Sequence, residues 1–227
     1  MDDQSIVLLT KADRFSADCA EIAARTFGQR LTIFSDQVGA PFPLHRGMFP
    51  VAGIISFLSP WIVPRWALEA CGFAINFHPG SAAYPGIGCY NFAIYEGAEM
   101  YGAVCHHMEP TVDTGALIAE AQFPIMPDES VASLKLRTMI AMNGLFAEIV
   151  DLIAANQTLP QLERHWSRRP FTRKELNELC IIDPEMDDLE KSNRIRATTF
   201  PGYPGPVLRQ PDGSFAPVEI PDRLPIA

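Results

Sequence analysis

Six runs along the chain are apolar for most of their length: SIVLLT (5–10), LTIFSD (31–36), VAGIISFLS (51–59), GFAINFHP (72–79), YGAVCHHM (101–108) and ALIAEAQFPI (116–125). Each has the length of a strand, and the patterns between them are helical. In SADCAEIAARTFG, Ala17, Ala20, Ala24 and Phe27 recur at helical spacing and Gly28 supplies a stop. PRWALEAC (64–71) predicts a short helix with proline in its first turn, and YNFAIYEG (90–97) predicts another. Residues 130–156 predict one long helix, with Leu134, Met139, Met142, Leu145, Ile149 and Leu152 on one side. Strands that are apolar throughout, and not alternating, are covered on both faces. The pattern predicts an α/β fold: a Rossmann-like, mostly parallel sheet with helices on both faces.

The pattern changes after residue 156. LERHWSRRPFTRKELNEL is basic and polar, and the following IRATTFPGYPGPVLRQPDGSFAPVEI is rich in proline and glycine. Asp212-Gly213 between two short apolar runs is a hairpin signal. Two regions are therefore expected. Residues 1–156 form the main domain, and 157–227 form a small irregular C-terminal lobe ending in a β-hairpin.

Composition removes several function classes. The 227 residues are 48% hydrophobic with a formal net charge of -9, which opposes a main role in holding a phosphate backbone. Residues 47–64 carry no charge, but Pro50, Pro60 and Pro64 divide them, so a membrane span is not expected. Asp2 and Asp3 stand where a signal peptide would be basic. The five cysteines are odd in number and include no CxxC, which points to reduced thiols in a cytoplasmic protein. Cys105, His106 and His107 lack the partners of a four-ligand set, so no metal is expected. The loop after the first strand, TKADRFSAD, has no glycine, which excludes the usual dinucleotide and P-loop sites.

Strand alternation puts Asn76 and His78 on one face at the carboxyl end of their strand, where open parallel sheets form clefts. An amide can donate to a developing oxyanion, and an imidazole can relay a proton near neutral pH. No serine or cysteine occupies a nucleophile elbow. Alone, the pair could equally cap a strand end. Asp113, in PTVDTGALI, sits on a polar turn before a strand and could present a carboxylate to the cleft or satisfy its own backbone.

INFHPG and VDTGALI together resemble the formyltransferases that use N10-formyltetrahydrofolate. That family includes enzymes acting on glycinamide ribonucleotide, on methionyl-tRNA and on nucleotide-linked amino sugars. The resemblance spans about residues 50–155 and implies that Asn76, His78 and Asp113 are catalytic. ISFLSPWIVP resembles the segment beside the folate, so Phe57, Leu58, Ser59 and Pro60 are expected cofactor contacts, with Thr111, Val112 and Asp113. YPGIGCYNFAIYEG resembles the loop and helix after the histidine, though the family's common arginine is missing; Tyr84 and Gly86 are expected substrate contacts there.

IRATTFPGYPG is similar to elements of the sugar-nucleotide enzymes. The resemblance thus implies formyl transfer to the amine of a nucleoside-diphosphate-linked amino sugar, used in lipopolysaccharide or other surface glycans. Lys11, Arg14 and Arg196 are the expected diphosphate partners. The expected partner is a small molecule, without nucleic acid or membrane, and the C-terminal lobe could make a homodimer contact. Two alternatives use the same residues: a formyltetrahydrofolate hydrolase and a non-catalytic folate-binding protein.

Overall fold

The computed structural model describes residues 4–218. In chain order the main domain contains β1 (Ile6–Lys11), α1 (Arg14–Phe27), β2 (Leu31–Asp36), β3 (Val51–Phe57), α2 (Arg65–Leu68) and β4 (Cys71–His78). It continues with α3 (Cys89–Tyr95), β5 (Met100–His107), β6 (Leu117–Pro124) and α4 (Val131–Ala154). Among the described residues these strands form one six-stranded sheet in the order β2-β1-β3-β4-β5-β6. β1 to β4 run parallel, whereas β5 is antiparallel to both β4 and β6. A strand buried on both faces is apolar in either direction, so the pattern could predict the strands but not this reversal.

Alternate residues of each strand feed two cores. Ile6, Leu8, Ile55, Phe57, Ile75 and Phe77 pack with α1 and α4 on one face. Val7, Leu9, Ile54 and Ala74 pack on the other, against Ala67 of α2 and Trp66. In α1 the buried stripe is Ser16, Cys19, Ala23 and Phe27, so Ala17 and Ala24 face solvent, contrary to the expected register. Alanine adds too little apolar surface to fix which side turns inward. The helix begins at Arg14 because the Asp13 carboxylate accepts from the Ser16 N–H at 2.9 Å.

The C-terminal region holds the expected hairpin, β8 (Val207–Arg209) and β9 (Phe215–Pro217), turned by Asp212-Gly213. It is more regular than its composition implies. α5 (Arg173–Leu179), β7 (Ile181–Ile182) and α6 (Asp188–Thr198) precede the hairpin, and β7 pairs with β8. These helices are short and polar, but each starts on a cap: Thr172 with Glu175, and Asp187 with the Glu190 N–H. The region packs onto the main domain. Asn91 of α3 donates to the Ala197 carbonyl at 2.6 Å, and Phe171 stacks on Phe92 with ring centroids 3.8 Å apart. Among the described residues, no helix is long and apolar enough to cross a membrane.

Candidate active site

β4 is extended through Asn76 and His78, and the parallel pair Ser56 and Asn76 marks the carboxyl end of the sheet. On the other side, antiparallel pairing sets His106 of β5 directly opposite Asn76. The register between β5 and β6 shifts at Cys105/His106, and such bulges re-aim a side chain at the cost of one ladder position. His78 and His106 are both buried, at 4% and 2% exposure.

The hydrogen-bond partners assign the ring protons. His106 Nδ1 donates to the His107 carbonyl at 2.7 Å. In the neutral ring its Nε2 is then an acceptor, and the Asn76 Nδ2 lies 3.1 Å from it. One amide hydrogen of Asn76 goes to His106, and the second remains for the cleft that Asn76 lines. His78 Nε2 donates to the Tyr84 carbonyl at 2.9 Å, while Nδ1 faces Asp113 Oδ2 at 3.2 Å. Both contacts are hydrogen bonds only when both ring nitrogens carry hydrogen.

Asp113 stands at φ 50°, a left-handed conformation that non-glycine residues adopt at some cost. The turn brings its carboxylate to His78 and to the Gly86 N–H, which donates to Oδ2 at 2.8 Å, with His106 Nε2 3.4 Å from Oδ1. Gly86 itself has φ 87°, and an added Cβ would lie 2.4 Å from the Phe171 carbonyl oxygen, so glycine is required there. Burial alone would raise the Asp113 carboxyl. The charge of His78 and the Gly86 N–H, with the His106 ring close by, hold it well below the usual carboxylate range.

Asn76, His78, His106 and Asp113 line one cleft of about 610 Å³. Its walls include Leu58, Pro60, Trp61, Ile62, Val63 and Leu68, with Ser56, Ser59 and Thr111 among them. The expected residues Leu58, Ser59, Pro60, Thr111, Val112 and Gly86 all face it. Two others do not. Phe57 is fully buried on the opposite face of the sheet, against Phe77 and Phe146, because alternation gives the cleft Ser56 instead. Tyr84, only 5% exposed, packs its ring near Phe171 under Arg168 and contributes its carbonyl to His78.

The basic residues are also placed differently from expectation. Lys11 and Arg14 line a separate cavity of about 410 Å³ beside Asp13, and Arg196 donates to the Pro127 carbonyl, lining neither of these spaces. A third cavity, of about 570 Å³, adjoins the cleft, with Ile87 and Arg173 lining both. It contains Lys135, Asn91, Asn177, Phe200 and Tyr203, and among the described residues no acidic one lines it. Lys135 Nζ lies 5.1 Å from the Phe200 ring centre. Among the described residues, no group of three or more His, Cys, Asp or Glu side chains is placed to hold a metal ion.

Residues 47–150 match the family described as Formyl transferase. Phosphoribosylglycinamide formyltransferase of Haemophilus influenzae is 33% identical over 89 residues, which are 39% of this chain and 40% of that protein. GDP-perosamine N-formyltransferase of Brucella melitensis is 28% identical over 138 residues, 60% of this chain and 52% of that protein. The chain thus spans only about two fifths to one half of the length of these relatives.

Among solved structures, a sugar N-formyltransferase from a Shewanella species superposes with a TM-score of 0.75 at 16% identity, over 95% of this chain and 97% of that one. The N-formyltransferase of Helicobacter canadensis, in complex with folinic acid and dTDP-3-aminofucose, superposes with a TM-score of 0.65 at 16% identity, over 86% and 80%. Likeness at that identity shows the shared fold. The stretch 47–150, which carries Asn76, His78, His106 and Asp113, is the part of the chain that matches the Formyl transferase family.

Proposed function

We propose that this chain transfers the formyl group of N10-formyltetrahydrofolate to the amine of a nucleoside-diphosphate-linked amino sugar. The observation that carries the reading is the junction of two spaces. The Asn76–His78–Asp113 cleft opens beside a cavity lined by two cations and three aromatic residues, and Arg173 borders both. An acidic chain that concentrates Lys135 and Arg173 in a cavity lined by none of its described acidic residues favours a small anion there. The flat apolar walls at Leu58, Pro60 and Val63, with hydroxyls at Ser59 and Thr111, suit a pterin ring. The donor set fits the cosubstrate.

Bound N10-formyltetrahydrofolate supplies the formyl carbon that the sugar amine attacks. Asn76 directs its free amide hydrogen at the oxygen on which negative charge develops, and His78 in its protonated form adds positive charge. Asp113 fixes the His78 ring through Nδ1 and helps to take the proton released by the amine, directly or through water. His106 holds the Asn76 amide in its donating orientation.

Release of tetrahydrofolate should require a nucleotide-linked amino sugar. The panel is dTDP-, GDP- and UDP-linked amino sugars, with glycinamide ribonucleotide and initiator methionyl-tRNA as competitors. Release without an acceptor would support the hydrolase, and none with any acceptor would support a folate-binding protein. Efficient formylation of glycinamide ribonucleotide alone would replace the sugar reading with a purine one.

The cavity gives a second prediction. Of dTDP, GDP and UDP, the one matching the substrate should bind in the micromolar range. Arg173→Ala should weaken it about tenfold, the size of one charge-assisted contact. Lys11→Ala should leave it unchanged. The opposite ranking, measured by calorimetry, would move the nucleotide to the β1–α1 cavity.

A further inference from the structure

The segment from 162 to 171 runs back across the site. Leu162 N–H donates to the Leu117 carbonyl at 2.9 Å, Ser167 N–H to Ala82 at 3.0 Å, and Phe171 N–H to Pro85 at 2.9 Å. These bonds join the strand after Asp113 to the loop after His78. Trp166 lies between them. Its ring meets the His106 ring at 5.1 Å and 84° and the His78 ring at 5.6 Å and 76°, both edge-to-face. The indole N–H donates to the Gly115 carbonyl at 2.9 Å.

Gly115 stands two residues beyond Asp113 and is pressed against β5, where an added Cβ would lie 1.9 Å from the His107 oxygen. The turn is therefore held by β5 on one side and by the indole on the other. A single side chain touches both imidazoles and the turn that carries their carboxylate. It is not among the residues lining the cleft.

We propose that Trp166 is a positioning residue for formyl transfer. It packs behind His78 and His106, keeps water from that side, and fixes the distance from Asp113 to both rings through Gly115. The His78–Asp113 contact it supports, at 3.2 Å, has little room to lengthen before it ceases to be a hydrogen bond. The consequence for turnover rests on the formyl-transfer reading; the consequence for the imidazoles does not.

The test pairs two readouts on the full chain. The first is exchange with water of the imidazole protons on His78 Nε2 and His106 Nδ1, followed by NMR with ¹⁵N-histidine. The second is tetrahydrofolate release with the preferred acceptor of the nucleotide-sugar panel. Trp166→Ala should speed exchange of both protons about tenfold or more, with an unchanged far-UV spectrum. It should lower kcat about 10- to 100-fold, with KM for N10-formyltetrahydrofolate within about twofold of wild type. Trp166→Phe keeps a ring against the histidines but loses the N–H to Gly115, so it should restore slow exchange and recover only part of kcat. If the alanine variant does not fold, Trp166→Leu fills the space without ring edge or N–H and takes its place.

Unchanged exchange in a folded Trp166→Ala or Trp166→Leu protein overturns the positioning role, whatever the turnover. Faster exchange with unchanged kcat overturns its part in transfer. A wild-type protein that formylates none of the panel removes the transfer reading, and the exchange result then decides the positioning role alone.

Discussion

Replacing His78 with alanine is expected to slow formyl transfer about 10²–10⁴-fold while the protein remains folded. The imidazole sits between the Tyr84 carbonyl and Asp113, and no neighbour can take over both contacts. His106 is near, but its Nδ1 is committed to the His107 carbonyl and its Nε2 to Asn76. The fold should survive because the Gly86 N–H still donates to the Asp113 carboxylate.

The same substitution has a pH signature. Burial of Asp113 remains while the charge that most lowers its carboxyl is gone, so the carboxyl should move upward. In the wild type a depressed carboxyl contributes stability above its unfolded value near pH ~4 and loses it as pH falls toward the folded value. The Tm gap between wild type and His78→Ala, as far as Asp113 sets it, should therefore narrow below pH ~4. Single-turnover rates and melting curves decide the matter. Near-normal turnover in a folded variant would remove His78 from the chemistry.

Much of this arrangement was legible along the chain. The six strands follow from local apolar runs, and the i, i+2 spacing of Asn76 and His78 put both on one face without any tertiary information. Asp113 was visible through the resemblance of VDTGALI, because its approach to His78 depends on a left-handed turn that a sequence pattern does not display. His106 was considered only as a metal ligand. Its role depends on β5 reversing and registering against β4, a non-local pairing. Trp166 and Arg173 come from a polar stretch without strong periodicity, whose return is set by its backbone bonds to Leu117, Ala82 and Pro85 and by the packing of Phe171 on Phe92. Phe57 fails for the simplest reason. It is the last residue of β3, where alternation turns it to the core and Ser56 to the cleft, whereas Leu58 to Val63 lie beyond the strand.

Asn76→Ala should lower kcat about 10²–10³-fold and leave KM for the folate nearly unchanged. The argument rests on which hydrogen does what. One amide hydrogen is spent on His106 Nε2, and the other is available where the formyl oxygen gains charge. That bond strengthens as the charge develops, so its loss falls on the transition state and not on ground-state binding. Asn76→Asp provides the sharper comparison, since it keeps the shape, removes both donors and puts a carboxylate beside Asp113 and the developing oxyanion. It should be at least as slow as the alanine variant. His106→Gln should fall between wild type and Asn76→Ala, because the amide would lose its orienting partner while keeping its donors. A defect in Asn76→Ala confined to KM would make the amide a ground-state contact. A fast Asn76→Asp protein would show that the charge is stabilised from elsewhere in the cleft.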